Sequence, residues 1–207
     1  MMGSTPADFY ERRIPRQFNR ALEEQAALGE AGRRVYDAMR AVDATIQVVV
    51  EGADEGAGIW FLNIDAGEMT TGTSAAHPPF LTLLQDRRAF ERLAHEAGDS
   101  ALALLGGISG LAGEMRLTRP RIENFAEVDG LVSIEVTGDD GFALRTRFGA
   151  GPVPDEPKTT ITLDEAAYRD LRSGALDPQA AFMNQQILVE GDMQAAMQLA
   201  LAAIAPD

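Results

Sequence analysis

Residues 159–174 read TTITLDEAAYRDLRSG, and the order of signals in this stretch decides the fold class. The β-branched run Thr159–Leu163 predicts a strand. Asp164 follows it as an N-cap, a carboxylate that accepts from the free N–H groups of the first helical turn. Leu163 and Tyr168 stand at the two positions of a hydrophobic staple, Leu171 continues the apolar stripe, and Gly174 stops the helix. A strand running straight into a capped amphipathic helix is a unit of an α+β protein.

The same unit extends in both directions. Upstream, Leu131–Val136 alternates as a strand, Asp139-Asp140-Gly141 turns, and Phe142–Phe148 returns, which predicts a hairpin. Phe142, Leu144 and Phe148 share one side of that returning strand. Downstream, Asp177-Pro178 starts a short helix through Ala180–Met183, Ile187–Glu190 is a strand, and Asp192 caps a last helix. Met193, Ala196, Met197, Ala200, Leu201 and Ile204 form its apolar stripe.

Nearer the N-terminus the order recurs. Thr45–Glu51 and Ile59–Asp65 read as a hairpin around the turn Gly52–Gly58, and Phe80–Leu84 is a third strand. Asp86 then opens a helix through Phe90 and Leu93 that stops near Gly98. Asp86, Phe90 and Leu93 repeat the spacing of Asp164, Tyr168 and Leu171, an internal repeat that predicts two similar lobes. Ahead of both, Asp8 to about Ala44 reads as helical, with Asp8 as N-cap and a break at Pro15. The expected organisation is a helical segment over 1–44 and two lobes over 45–128 and 129–207.

Composition narrows the function classes. The 207 residues carry a formal charge of −14 and no cysteine. Disulfide and thiolate chemistry are therefore excluded, and duplex nucleic acid would be repelled. Arg12, Arg13, Arg16 and Arg20, and later Arg116, Arg119 and Arg121, are interleaved with glutamates and read as solvated mixed-charge faces. No secretory leader is read at Met1–Asp8, and the longest uncharged run, Ser100–Gly113, is short of the roughly 20 residues of a membrane span. A cytoplasmic protein without stable membrane insertion is expected.

In the segments Thr160–Asp164, the Tyr168/Leu171 helix, Gly174–Met183, Ile187–Met193 and Ala196–Leu199, the sequence resembles the sterol carrier protein type 2 family. The resemblance covers about Leu131 to Ile204. Trp60 and Gly67 extend a fainter likeness over Thr45–Leu117, which would make two tandem copies with the C-terminal one clearer. One departure stands at Asn184-Gln185-Gln186, where that family has glycine before the strand. The resemblance implies a twisted, mainly antiparallel β-sheet covered by helices, around an apolar tunnel for sterols, fatty acyl chains or isoprenoids.

Such a site needs shape and apolar lining rather than reactive groups. The residues expected to meet the ligand are Phe142, Leu144, Phe148, Ile161, Tyr168, Phe182, Met183, Met193, Met197 and Leu201, with Trp60 in the first lobe. Each has a plain alternative as core, and methionine suits either role because it is flexible and polarizable.

No catalytic constellation competes with this reading. Gly106–Gly113 has no Lys-Ser/Thr for a phosphate loop, and Ser109 lacks a nucleophile-elbow frame. That stretch reads as a flexible connection or as close helix packing. His77 and His95 lie far apart and neither belongs to a zinc-helix motif, so no metal and no cofactor are expected. The function expected is non-catalytic binding or transfer of an apolar ligand, with an enzyme partner or a homo-oligomer compatible with it. The alternative is an accessory interaction module that presents a lipid or isoprenoid intermediate to a partner enzyme.

Overall fold

A computed structural model of the chain describes residues 5–52, 56–108 and 113–204. Helix α1 (Pro6–Asp8), a π-helical turn (Phe9–Arg13) and α2 (Ile14–Ala27) run on without a break. Pro15 therefore does not end the helix. It falls in the first turn of α2, and the wider π turn before it absorbs the missing N–H. The N-cap is Thr5, whose hydroxyl accepts from the Asp8 N–H at 3.2 Å, and not Asp8 itself. Helix α3 (Gly29–Arg40) leads into β1 (Ala44–Val50), β2 (Gly58–Asp65), β3 (Glu68–Gly72) and β4 (Pro79–Gln85). Helices α4 (Arg87–Ala97), α5 (Ala101–Ile108) and α6 (Arg119–Val128) follow. The chain then forms β5 (Gly130–Thr137), β6 (Phe142–Phe148), β7 (Thr159–Asp164), α7 (Glu165–Ser173), α8 (Pro178–Met183), β8 (Ile187–Gly191) and α9 (Met193–Ile204).

Among the described residues the strands make one eight-stranded sheet in the order β3-β2-β1-β4-β6-β5-β7-β8. It is mainly antiparallel, with β1–β4 and β5–β7 as its parallel pairs. The two halves are wired alike. In the first, β1 pairs antiparallel with β2 and parallel with β4; in the second, β5 pairs antiparallel with β6 and parallel with β7. The register also agrees: Ile46 faces Leu62 and Leu81 as Val132 faces Thr146 and Thr159. Carried along the chain, that register sets Asp86 on Asp164 and Phe90 on Tyr168, and both aspartates cap their helices by accepting an N–H at 2.7 Å.

The halves are fused rather than separate. β4 of the first pairs antiparallel with β6 of the second, with Leu81 opposite Phe148. One buried cluster runs from Phe9 and Ile46 through Phe148 to Leu199. Its sheet face carries Ile46, Val48, Leu62, Leu83, Ile134 and Leu144, and helices close over it. Phe125 of α6 stacks on Phe148 at 5.4 Å, and Tyr168 of α7 meets Phe142 edge-on at 5.3 Å. The opposite face carries charge, including the Arg145–Glu51 pair at 2.6 Å.

Gly67 shows why one turn demands glycine. Its φ is +79°, and a Cβ there would lie 2.6 Å from the Arg40 Cα. Close packing also accounts for Gly107 in α5, where a Cβ would meet the Arg172 guanidinium at 2.9 Å and Leu93 at 3.2 Å. Residues 109–112 of that glycine stretch, Ser109 included, lie outside the described residues, as does the hairpin tip at 53–55. One charge face is corrected: Arg121 is buried, because α6 packs on β4, β6 and α9.

Candidate functional site

The C-terminal elements are each started by an aspartate. The Asp177 carboxylate accepts from the Ala180 N–H at 2.9 Å to open α8. The Asp192 carboxylate accepts from Gln194 and Ala195 N–H groups at 2.9 and 3.2 Å to open α9. The Ala195 N–H, with help from Lys158, holds the Asp192 carboxyl below its usual range. Between the two helices, Gln185 stands at φ +59°. This is the left-handed region that glycine favours, adopted here by a glutamine.

Helix α9 is apolar on both sides, and its small residues face in. Ala195, Leu199 and Ala202 recur at helical spacing and are buried against α6, β7 and β8. Met193, Met197 and Leu201 form the opposite stripe and are 40%, 60% and 61% exposed. On α8, Ala181 is buried while Phe182 and Met183 are 43% and 73% exposed. The large residues of these helices are thus not part of the buried core. Close approach of α9 to α6 selects alanine at the contact, and the bulky side chains are left outside.

The remaining expected residues lie inside, where they touch protein. Phe142, Leu144, Phe148, Tyr168 and Trp60 are buried core, and Ile161 is half-buried against it. Trp60 donates its indole N–H to Glu11 at 3.1 Å. The Tyr168 hydroxyl donates to Glu96 at 2.6 Å, and Glu96 also takes Arg92 at 2.5 Å and has Arg172 at 3.6 Å. These contacts tie α4 of the first half to α7 of the second.

Where β1, β4 and β6 meet α5 and α6, the described residues leave little room under the sheet. A small apolar void lined by Ile46, Leu81, Leu105, Met115, Phe125 and Phe148 has a volume of about 10 Å³. That is room for about one water, against roughly 300 Å³ or more for a drug-sized ligand. The core set is buried, whereas Phe182, Met183, Met193, Met197 and Leu201 of α8 and α9 are exposed. A wider cleft of about 260 Å³ opens beside Val42, Asp43, Arg119, Ile122 and Glu123, and its lining is mixed. Sequence reading also passed over Leu188, 55% exposed on edge strand β8. The alternation of Ile187 and Val189 with Leu188 marks it as facing the other side of the sheet.

The second half thus presents a hairpin, a parallel third strand, two short capped helices, an edge strand, and a last helix packed on α6. Residues 118–203 match the SCP-2 sterol transfer family. No curated protein matches the chain. Among solved structures, parts of the chain resemble sterol carrier proteins. The apo form of sterol carrier protein 2 from Yarrowia lipolytica is 16% identical over 51% of this chain and 93% of its own, with a TM-score of 0.33. Sterol carrier protein domain 2 of Helicoverpa armigera is 27% identical over 41% and 78%, with a TM-score of 0.30. Sterol carrier protein 2-like 2 from Aedes aegypti is 19% identical over 37% and 74%, also at 0.30. No helix among the described residues is long and apolar enough to cross a membrane.

Two buried tyrosines, Tyr10 in the N-terminal helical segment and Tyr168 in α7, give the fold a pH signature. Burial pushes the Tyr10 and Tyr168 phenols far above their usual range; Glu96 adds to the rise at Tyr168, while Gln85 opposes it at Tyr10. In the unfolded chain both would ionise near pH 10, so the folded state holds their protons longer. Their contribution to stability is present below about pH 10 and is lost as pH rises beyond it. Alkaline absorbance titration should find these two phenols un-ionised until the chain unfolds. Denaturant midpoints measured above about pH 10 should fall less steeply in Tyr168→Phe than in the parent.

Proposed function

We propose that the chain binds and transfers an apolar, lipid-like ligand (a sterol, fatty acyl chain or isoprenoid) without catalysing a reaction on it. The observation that carries this reading is the exposure of Phe182, Met183, Met193, Met197 and Leu201, all within the segment that matches a sterol transfer family. Water-exposed side chains of this kind gain about 25 cal/mol per Å² when an apolar body covers them. Methionines let the surface follow an irregular hydrocarbon. The ligand engages this outward face of α8 and α9 first, and any internal tunnel opens only when α9 moves off the core. The first half, 45–128, is a second copy of the 129–207 unit that serves as its structural partner, and the shared wiring and register support that reading.

The same surface also fits the alternative, an accessory module that hands a lipid or isoprenoid intermediate to a partner enzyme. Gentle purification followed by native mass spectrometry and organic extraction separates the two. A carrier retains about one apolar molecule per chain, and this is the expected result. A chain that is always empty, and takes up no added fatty acid or sterol, would point to the interaction module.

A further inference from the structure

The first half gathers three metal-ligating side chains at one end of the sheet. Asp43 precedes β1, Asp65 ends β2, and His77 lies in the loop before β4. One ligating atom from each lies within 4.8 Å of the other two. His77 Nε2 is 2.7 Å from Asp65 Oδ1, and Asp43 Oδ1 accepts from the Ala66 N–H at 2.7 Å. The loop is fixed from beneath by a buried pair. Thr45 donates to Asn63 at 2.7 Å, Thr45 accepts from the His77 N–H at 3.1 Å, and Asn63 accepts from the Ala76 N–H at 3.0 Å. An imidazole and two carboxylates on strand ends are therefore held close together, His77 and Asp65 in direct contact and Asp43 anchored separately by the Ala66 N–H.

The second half supplies an independent indication of what belongs there. Ala44 pairs with Ile64 as Gly130 pairs with Phe148, which sets Asp129 on Asp43 and Arg147 on Asn63. In the second half the aspartate faces a built-in cation, with the Arg147 guanidinium 3.0 Å from Asp129. In the first half that arginine is replaced by neutral Asn63, while a second carboxylate, Asp65, and an imidazole are added. The fixed cation has been exchanged for ligands. Asp43 also lines the 260 Å³ cleft, so the group is reached from solvent.

We propose that Asp43, Asp65 and His77 form a site for one divalent transition-metal ion of the zinc class, with water completing its coordination. Nitrogen and carboxylate donors together suit such an ion better than Mg²⁺ or Ca²⁺, which favour all-oxygen sets. The inference is independent of lipid binding, since the site lies in the other half of the sheet from α8 and α9.

The test is calorimetric titration of the chelator-treated full chain with Zn²⁺, alongside Co²⁺ followed by visible absorption. The expected result is one ion per chain, weakened at least tenfold in both His77→Ala and Asp43→Asn. His95→Ala, which removes the other histidine, should bind as the parent does. Thermal unfolding in chelator keeps loss of ligand distinct from loss of fold; if His77→Ala is unfolded there, His77→Gln replaces it. The proposal is overturned if the parent takes up no stoichiometric Zn²⁺. It is equally overturned if the folded His77 and Asp43 variants bind with the parent's affinity.

Discussion

Phe148→Ala should destabilise the whole chain by about 3–5 kcal/mol, and it should do so in both halves at once. Phe148 is fully buried and its ring stacks on Phe125 at 5.4 Å. It also sits at the seam, opposite Leu81 on β4 and opposite Gly130 on β5. Removing the ring opens a cavity where the two halves are stitched, and a close-packed core cannot collapse around a hole of that size. The chain has a single tryptophan, Trp60, which lies in the first half. Denaturant unfolding followed by Trp60 fluorescence therefore reports on the half that does not contain the substitution. The fluorescence and circular-dichroism midpoints should fall together. If the Trp60 transition stays in place while the dichroism splits in two, the halves are separate folding units and the single-core description fails.

Met197→Asp should leave the fold almost untouched and remove apolar binding. The side chain is 60% exposed, so its replacement belongs with surface substitutions, usually within about 0.5 kcal/mol. A hydrocarbon lying on the α9 face would have to desolvate the new carboxylate, so affinity for a fluorescent fatty acid should fall at least tenfold. Leu199→Asp is the matching control on the other side of the same helix. Leu199 is buried, and a charge there costs several kcal/mol, so that variant should unfold rather than fold and fail to bind. The reverse outcome, with Met197→Asp unfolded and Leu199→Asp folded, would mean that α9 is turned the other way.

The parts of this fold that sequence made legible are those fixed by local chemistry. Asp86 and Asp164 announce their helices because an N-cap acts within one turn. The two hairpins show because β-branched alternation and a glycine turn are short-range signals. The equality of spacing between the Asp86 and Asp164 helices then raised the expectation of two similar lobes. What stayed hidden depends on partners distant in sequence. Helix α6 was hidden by its arginines and glutamates, and Arg121 looks like surface until β4, β6 and α9 are brought around it. Pro15 reads as a break, and only the preceding π turn shows how a helix passes through it.

The candidate site divides along the same line. That α8 and α9 carry an apolar surface was readable from Phe182, Met183, Met193, Met197 and Leu201. Which way that surface points was not, since α9 has a second stripe of Ala195, Leu199 and Ala202 at equally good spacing. Periodicity alone cannot choose between two apolar stripes on one helix; the close contact with α6 chooses. Asp43, Asp65 and His77 come from three segments that only the sheet brings together, so no spacing in the sequence could announce them.

The methionines allow the central claim to be tested residue by residue. Met39, Met69 and Met115 are buried, whereas Met183, Met193 and Met197 lie on the exposed C-terminal surface. Methyl NMR of the methionine-labelled chain during titration with a long-chain fatty acid would report on both groups in one experiment. Binding on the outward face of α8 and α9 predicts saturable shifts at Met183, Met193 and Met197, with Met39 and Met69 unmoved. Saturable shifts confined to the buried methionines, or no saturable shift at any of them, would contradict it.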